Sequence, residues 1–595
     1  MTCQTRGIRA IARSLNVSFY LVFCVSAPVS AANFIAECNG FTGDSASLVS
    51  AINECNDEIL NPGPDTISLG SSCTYEISAA NNYWYGPNGL PAISSEIFIE
   101  GNGSTIYRSS GNSFRLFYIS GGHSELSSGS LHLSTLTLRG GRAKGGNGGG
   151  GGAGMGGAIF NQGALELFEV TLLQNEAVGG NKSGHPGGGG IGQDALSTEG
   201  GGFGGAFSGG TGGLGGSGST SSGGGGGGGF APTSNGGNAG GTTAGNGGGN
   251  SGLGGNGGGG VRLPGTGGDA GGGGAGNAQG SNPGGAGGDF GFGGKGANTV
   301  GHGGGGGVGG GGGASSVGGQ GGGGGGFGGG GGLPNGAGGF GGGGLVPGYG
   351  AGMGGAGMGG AIFNHNGQVL VSNSTFTQNV ASGGIGPPSG QGLGGGIFNL
   401  NGTVDISSST LADNEVLTPE GSGSGGAIYN IGYLQSASGG WSSVAKIVLR
   451  NSILSGSTDG ANLTTDMVSV QPLTLRNGAP NIATAPISVS GSNIISSPGS
   501  ITGAIAVDPV LGPLQNNGGL VSTMALMPSS PAIDIGDICA PGLPLFDQRG
   551  PSFLRIWNSI PDIGAFEYGS PFDSLFADGF EGLGDCDAAR VFGAY

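Results

Sequence analysis

Residues able to do chemistry are sparse in this sequence, and where they cluster they suit structure better than reaction. The densest set is Asp547, Arg549, Asp562 and Glu567. A guanidinium can pair bidentately with a carboxylate, and buried charges must be paired. The expected role is therefore a salt-bridge cap on the last repeat. Asp405 and Asp413, eight residues apart, are a candidate hydrolase pair, because glycoside hydrolases hold two carboxylates at a matched separation. Their simpler role is that of exposed strand and corner acids. A lyase would need clustered acids for calcium with a Lys or Arg base beside them. Lys446 and Arg450 stand far along the chain from Arg139, Arg142 and Lys144, and neither group adjoins an acidic cluster. His123, His132, His185, His302 and His365 form no motif. No catalytic, cofactor-binding or metal-ligating residue is assigned on these grounds.

Composition narrows the classes further. Of 595 residues 159 are glycine, only 9% are charged, and the formal net charge is −17. An acidic surface repels phosphate backbones, so nucleic acid is not an expected partner. Arg6, Arg9 and Arg13, then the mostly apolar Leu15 to Ala27, then Val29-Ser30-Ala31, have the layout of a secretory signal peptide. The apolar run is shorter than the ~20 residues of a membrane-spanning helix, and no transmembrane helix is expected in the mature chain. That chain keeps Cys38, Cys55, Cys73, Cys539 and Cys586. An oxidising compartment favours disulfides, and an odd number leaves at least one thiol unpaired or bonded elsewhere.

The elements that would position any site are announced by a repeat. GGAIFN occurs at Gly156–Asn161 and Gly359–Asn364, GGGIFN at Gly394–Asn399, and GGAIYN at Gly425–Asn430. The first two copies are identical over ten residues, GAGMGGAIFN, from Gly152 and from Gly355. Each phrase precedes a short alternating strand whose last apolar residue is followed five positions later by another: Leu167 and Leu172, Val371 and Phe376, Ile406 and Leu411, Leu449 and Leu454. Leu133 and Leu138 give the same step earlier. Period-two alternation turns one face inward, and Ser, Asn and Gly tolerate the backbone angles of corners. Phe363 and Phe398 lie 35 residues apart, Phe398 and Tyr429 lie 31 apart. Repeats of this length cannot bury a face alone and must stack. The expected fold is all-β, a right-handed parallel β-helix with one apolar lumen. Phe160, Phe363, Phe398 and Tyr429 would stack, and Asn161, Asn364, Asn399 and Asn430 would form a ladder of side-chain amides.

The loop from the closing Asn to the next Gly-Gly spans 11 residues after Asn414, 15 after Asn379 and 184 after Asn175. The long glycine-rich insertion therefore occupies one outward loop, leaving the repeat to resume beyond it. Glycine loses the most entropy on ordering, so flexible low-complexity sequence is the first expectation. A bundle of extended polyglycine strands, close-packed for want of side chains, is the second. Its Asp194, Asp269 and Asp289 are too few for calcium-binding repeats. The domains predicted are a signal peptide over 1–31, an N-terminal cap and first coils over 32–130, and repeats over 131–178. The glycine-rich insertion follows over 179–356, repeats with a C-terminal cap over 357–568, and a tail over 569–595.

Several segments resemble a known family. Ser47 to Asn53, Asn61 to Leu69 and Ile97 to Gly103 resemble its entry: a short helix, a turn and the first rungs. GGAIFN with the later Phe376-Thr377-Gln378-Asn379 is similar to chlamydial polymorphic membrane proteins. Asp508 to Leu514, Asn517-Gly518-Gly519, Ser530 to Asp534, Asp547 to Gly550 and Asp562 to Glu567 resemble, in order, the end region of choice-of-anchor Q proteins. The resemblance implies a β-helix and export, without a reaction. The tail around Asp578-Gly579-Phe580-Glu581 resembles short endings of exported proteins and is a candidate sorting signal; 27 residues beyond Tyr568 are too few for an autotransporter barrel. The function expected is a secreted or outer-membrane-associated scaffold for adhesion or matrix contact. Its expected partners are surface polysaccharide or host components, and the alternative is a polysaccharide lyase or hydrolase.

Overall fold

The computed structural model describes residues 31–122, 126–183, 188–195, 309–313, 322, 324–332, 336–343, 353–419, 423–432, 445–460, 462–470 and 487–570. Most of the signal peptide, of the glycine tract and of the tail, together with His123, His185, His302, Asp269, Asp289 and Cys586, lies outside them. The described chain is all-β, with parallel sheets and one helix, Ser45–Cys55. No helix among the described residues is long and apolar enough to cross a membrane.

The chain visits its sheets in a fixed order. Ile159–Asn161 belongs to a six-stranded sheet, Ala164–Leu173 to a long sheet, and Glu176–Val178 to a four-stranded one. Gly357–Met358 then joins a three-stranded sheet, and Ile362–His365 returns to the first. Each strand pairs in parallel with its equivalent one repeat later. Phe160 faces Phe363, Phe363 faces Phe398, and Phe398 faces Tyr429. The strands flanking the glycine insertion are thus immediate neighbours: Glu176–Val178 pairs with Val380–Ser382, and Gly154–Met155 with Gly357–Met358.

The five-residue step has a conformational cause. Thr135, Glu169, Asn373, Ser408 and Asn451, each two positions past the inward residue, have φ between 44° and 56°. That left-handed bend, costly for residues other than Gly, Asn and Asp, rotates the chain so that the second apolar residue points in again. Leu133 and Leu138, Leu167 and Leu172, and Val371 and Phe376 are all buried in one core. The helix adds Leu48, Ala51, Ile52 and Cys55 to the same core; Asp44 caps it by accepting from the Ala46 amide at 2.9 Å. Cys38 and Cys73 form a disulfide, Cys55 is a buried free thiol, and Cys539 is disulfide-bonded.

Instead of a single apolar lumen there are separate cores, because alternation sends Ile159 and Phe160 to opposite faces. Ile159, Ile362, Ile397 and Ile428 join the main core, while Phe160, Phe363, Phe398 and Tyr429 form another outside it. Their ring centroids are 5.1, 5.4 and 5.3 Å apart. The insertion covers this stack. Its Phe327 meets Phe398 edge-on at 6.1 Å and its Phe340 lies 5.8 Å from Tyr429.

The described glycines of the insertion and its flanks interlock through their backbones. The amides of Gly150, Gly151 and Gly152 donate to Gly312, Met353 and Gly146, three different segments, at 3.0, 2.8 and 2.9 Å. Successive amides aimed at three neighbours are what a three-residues-per-turn extended chain provides. A Cβ on Gly151 would fall 1.9 Å from the Gly180 oxygen, and one on Gly355 2.0 Å from that of Gly152. Backbone thus occupies the space side chains would need.

Amides tie the repeats together at the corner. Asn161 Nδ2 donates to Asn364 Oδ1 at 2.8 Å, Asn364 to Asn399 at 2.8 Å, Asn399 to Asn430 at 2.7 Å, and Asn430 to Ser469 at 3.1 Å. A second ladder runs from Asn175 to Asn379 to Asn414, each step 2.9 Å. Asn364→Ala removes an acceptor and a donor at once: the buried Asn399 Oδ1 loses its donor, and Asn161 Nδ2 keeps only backbone carbonyls. We expect it to lower unfolding free energy by about 2–4 kcal/mol, measured by denaturant titration. Gly355→Ala is expected to open the glycine bundle, read as faster proteolytic nicking of the insertion with the repeat strands still protected.

Candidate functional site

The four charged residues of the C-terminal segment come together, but not over the last repeat. The segment lies along the corner of the long sheet and touches several repeats. Thr171 Oγ1 donates to the Ser522 carbonyl at 2.8 Å, Gln548 Nε2 donates to Thr171 Oγ1 at 3.1 Å, and Asn373 Nδ2 to the Phe546 carbonyl at 2.7 Å. The Ala565 amide donates to Thr410 Oγ1 at 3.0 Å, and Asn451 exchanges two bonds with the Asp537 backbone. The expected end cap is therefore a lateral strap. The left-handed corners expose polar side chains and backbone that no sheet satisfies, and the strap supplies their partners.

Within the strap only one of the three acids is the arginine's ion-pair partner. Arg549 donates through Nη2 and Nε to Asp547 Oδ2 at 2.7 and 2.9 Å, and through Nη2 to the Glu567 carbonyl at 2.7 Å. Its guanidinium is sandwiched between Phe553 and Phe566, 3.9 and 4.0 Å from their centroids, a cation–π arrangement. Asp562 and Glu567 instead accept backbone amides: Asp534 and Tyr568 on the first, Trp557 and Asp562 on the second. Carboxylate oxygens of Asp534, Asp562 and Glu567 lie within 4.8 Å of one another. Burial, with Asp562 as a like-charged neighbour, pushes the Glu567 carboxyl up to about 9; burial pushes Asp562 up to about 6. Arg555, fully buried, donates to the Gly564 carbonyl and to Asn373 Oδ1. These groups hold the strap together.

The open site is elsewhere, on the outer face of the long sheet. A groove of about 480 Å³ runs over strands Ser130–Arg139, Ala164–Leu173, Gln368–Ser372, Thr403–Ser407 and Lys446–Arg450. Its lining includes Ser130, His132, Glu166, Leu370, Asp405 and Lys446. A pocket of about 250 Å³ adjoins it, between Phe98, Glu100, His132, Ser134, Glu166 and Phe168. Register explains the grouping. Phe98, His132 and Glu166 are partners on three adjacent strands, as are Glu100, Ser134 and Phe168. Two aromatic rings and two carboxylates thus occupy opposite diagonals of a grid with His132 and Ser134 at its centre.

The imidazole is held on three sides. His132 Nδ1 lies 2.8 Å from Glu166 Oε2, Nε2 lies 3.0 Å from Ser130 Oγ and 3.5 Å from Glu96 Oε1, and the ring stacks on Phe98 at 4.1 Å. The hydrogen bond from His132 holds the Glu166 carboxyl below its ordinary range. Glu100 accepts from Ser68 Oγ at 2.9 Å, and Arg450 pairs with Asp405. Asp413, the other half of the candidate pair, is absent from the groove lining, and burial raises its carboxyl. His365 is buried in the six-stranded sheet against Gln162. Motif reading missed His132. The signal was present: laying Leu133 over Leu167 puts His132 beside Glu166.

Glu169 links the repeats to the strap. It sits at a left-handed corner, nearly buried, accepting from Thr135 Oγ1 at 3.0 Å, with Asp547 and Arg555 close by. Burial pushes its carboxyl up from 4.5 to about 7. A folded-state value above the unfolded one gives a stability contribution that is full below about 4.5 and lost as pH rises through about 7. Glu169→Gln should therefore flatten that part of the pH dependence and melt higher than the parent at about pH 8, checked by thermal denaturation from about pH 5 to pH 8. No family model, curated protein or solved structure matches the chain.

Proposed function

We propose that this chain is a secreted or cell-surface right-handed parallel β-helix of the choice-of-anchor Q or polymorphic outer-membrane-protein-like kind. In this reading it is a scaffold that holds a polysaccharide of the envelope or matrix without cleaving it. Strand-on-strand pairing one repeat apart, around a cycle of sheets, supports the fold reading. The observation that carries the function is the groove across five consecutive parallel strands. It is open, long in the direction of the repeat, and lined by hydroxyl, amide, carboxylate and apolar groups. Phe98, Phe168 and Leu370 are over a third exposed along it and beside it, and apolar faces beside fixed polar groups are what orient a ligand.

Binding without cleavage is favoured by how the acids are used. Glu166 is taken by His132, Glu100 by Ser68 and Asp405 by Arg450. A general acid or base needs its proton within reach of the scissile bond, and these oxygens are turned to structural partners. Cations at Lys446 and Arg450 offset part of the carboxylate charge, so neutral glycans suit the groove better than polyanions.

The test is retention of the exported protein on immobilised neutral and acidic polysaccharides, with product analysis of the eluate. Expected are retention on a neutral polymer, at least about tenfold weaker binding for Leu370→Asp, which places a charge on the apolar floor, and no new chain ends. New reducing ends or unsaturated products would replace the scaffold with the lyase or hydrolase reading. Failure of every polymer to bind would remove the polysaccharide.

A further inference from the structure

The strand Asp65–Leu69, which pairs with the earlier Asn33–Ala36, begins on a carboxylate that lacks part of its partner. The Ala32 amide donates to Asp65 Oδ1 at 2.7 Å. The Ala32 carbonyl accepts from the Thr66 amide at 2.9 Å, and Asn33–Ala36 continues in parallel register with Thr66–Leu69. Backbone pairing therefore fixes Ala32 beside Asp65 whatever precedes it. Asp65 is fully buried, its Oδ2 has no hydrogen-bond partner, and no ion pair reaches it among the described residues. Its charged neighbour Glu58 is of like sign, and the side chain of Cys55, on the helix nearby, is an uncharged thiol. An unpaired buried carboxylate is costly, and a single amide hydrogen cannot satisfy both of its oxygens.

One covalent change supplies what is missing. Hydrolysis of the Ala31–Ala32 peptide bond adds water across the C–N bond: hydroxyl to the Ala31 carbonyl carbon, hydrogen to the Ala32 nitrogen. That nitrogen, an amine with an ordinary pKa near about 8, is then an ammonium at neutral pH. It brings positive charge and three donors to an atom already within hydrogen-bond distance of the carboxylate, leaving two donors beyond the one used now. Ala31 is exposed, so the departing side faces solvent, and Ala31 and Ser30 are small.

We propose that the chain is cut between Ala31 and Ala32, and that the new α-ammonium forms a buried ion pair with Asp65 that locks the first strand onto the core. This rests on the reading of residues 1–31 as an export leader, and adds that removing the leader completes the fold. The leader's departure is then a maturation step with a structural acceptor, and the start of the mature chain is set by position to within one residue.

The experiment expresses the full chain in a bacterium competent for export and determines the amino terminus of the exported product. The exported protein is then compared with a chain carrying Ser-Gly ahead of Ala32, each with Asp65 and with Asp65→Asn. Expected are Ala32 as first residue, and a melting temperature at least about 2 °C higher for the free Ala32 terminus than for the extended one. In the Asp65→Asn background the two termini should melt together. Retention of the leader, or failure to export, would overturn the leader reading and this inference with it. Export with the cut elsewhere, or equal melting of free and extended termini beside an intact Asp65, would overturn the ion pair while leaving export standing.

Discussion

Parallel, in-register pairing between equivalent strands is the constraint from which the rest of this structure follows. It places every side chain against its own counterpart one repeat away. Only residues compatible with copies of themselves can occupy such columns. An amide satisfies this because it both donates and accepts, hence the Asn161 to Asn430 ladder. Aromatic rings satisfy it by stacking, hence Phe160 to Tyr429. A column of like charges would not. The acids of the outer face accordingly sit next to histidine, serine, arginine or apolar residues: Glu166 pairs across strands with His132 and Leu370, and Asp405 with Leu370 and Val448.

The same rule decides what could be read from sequence. Columns of identical residues advertise themselves as repeats, so the strands, the five-residue corner step and the amide and aromatic series were legible from GGAIFN and the residues after it. The site was harder because its members differ. Phe98, His132 and Glu166 share one column but no motif, and only alignment by the inward leucines brings them together. The strap was mislocated for another reason. Asp547, Arg549, Asp562 and Glu567 signal a buried charged cluster, but nothing local says which face receives it. That is decided by long-range bonds to Thr171, Asn373 and Asn451. The second core was missed because Phe327 and Phe340 look isolated in a sea of glycine.

Glycine has two different uses here. At Gly156, Gly359, Gly394 and Gly425 it supplies a positive φ of 66° to 68° just before the strand. In the insertion it supplies absence, letting backbone approach backbone as at Gly151 and Gly180. Among the described glycines, the entropy lost on ordering is offset by backbone bonds such as those from the Gly311 amide to the Gly189 carbonyl and from the Gly330 amide to the Gly151 carbonyl, and by the aromatic stack that Phe327 and Phe340 cover.

The two ten-residue copies that bracket the insertion are partners across one strand spacing, Gly154 beside Gly357 and Asn161 beside Asn364. A recombination between the DNA encoding them would excise 203 residues, the separation of those asparagines, and leave a single copy flanked by its proper neighbours. The shortened product would still set Leu133 beside Val371, and Phe117 beside the isoleucine of the retained copy, in matching phase. Length in this protein is thus modular: a lineage could gain or shed the whole glycine domain in one genetic event without reinventing the column that carries it.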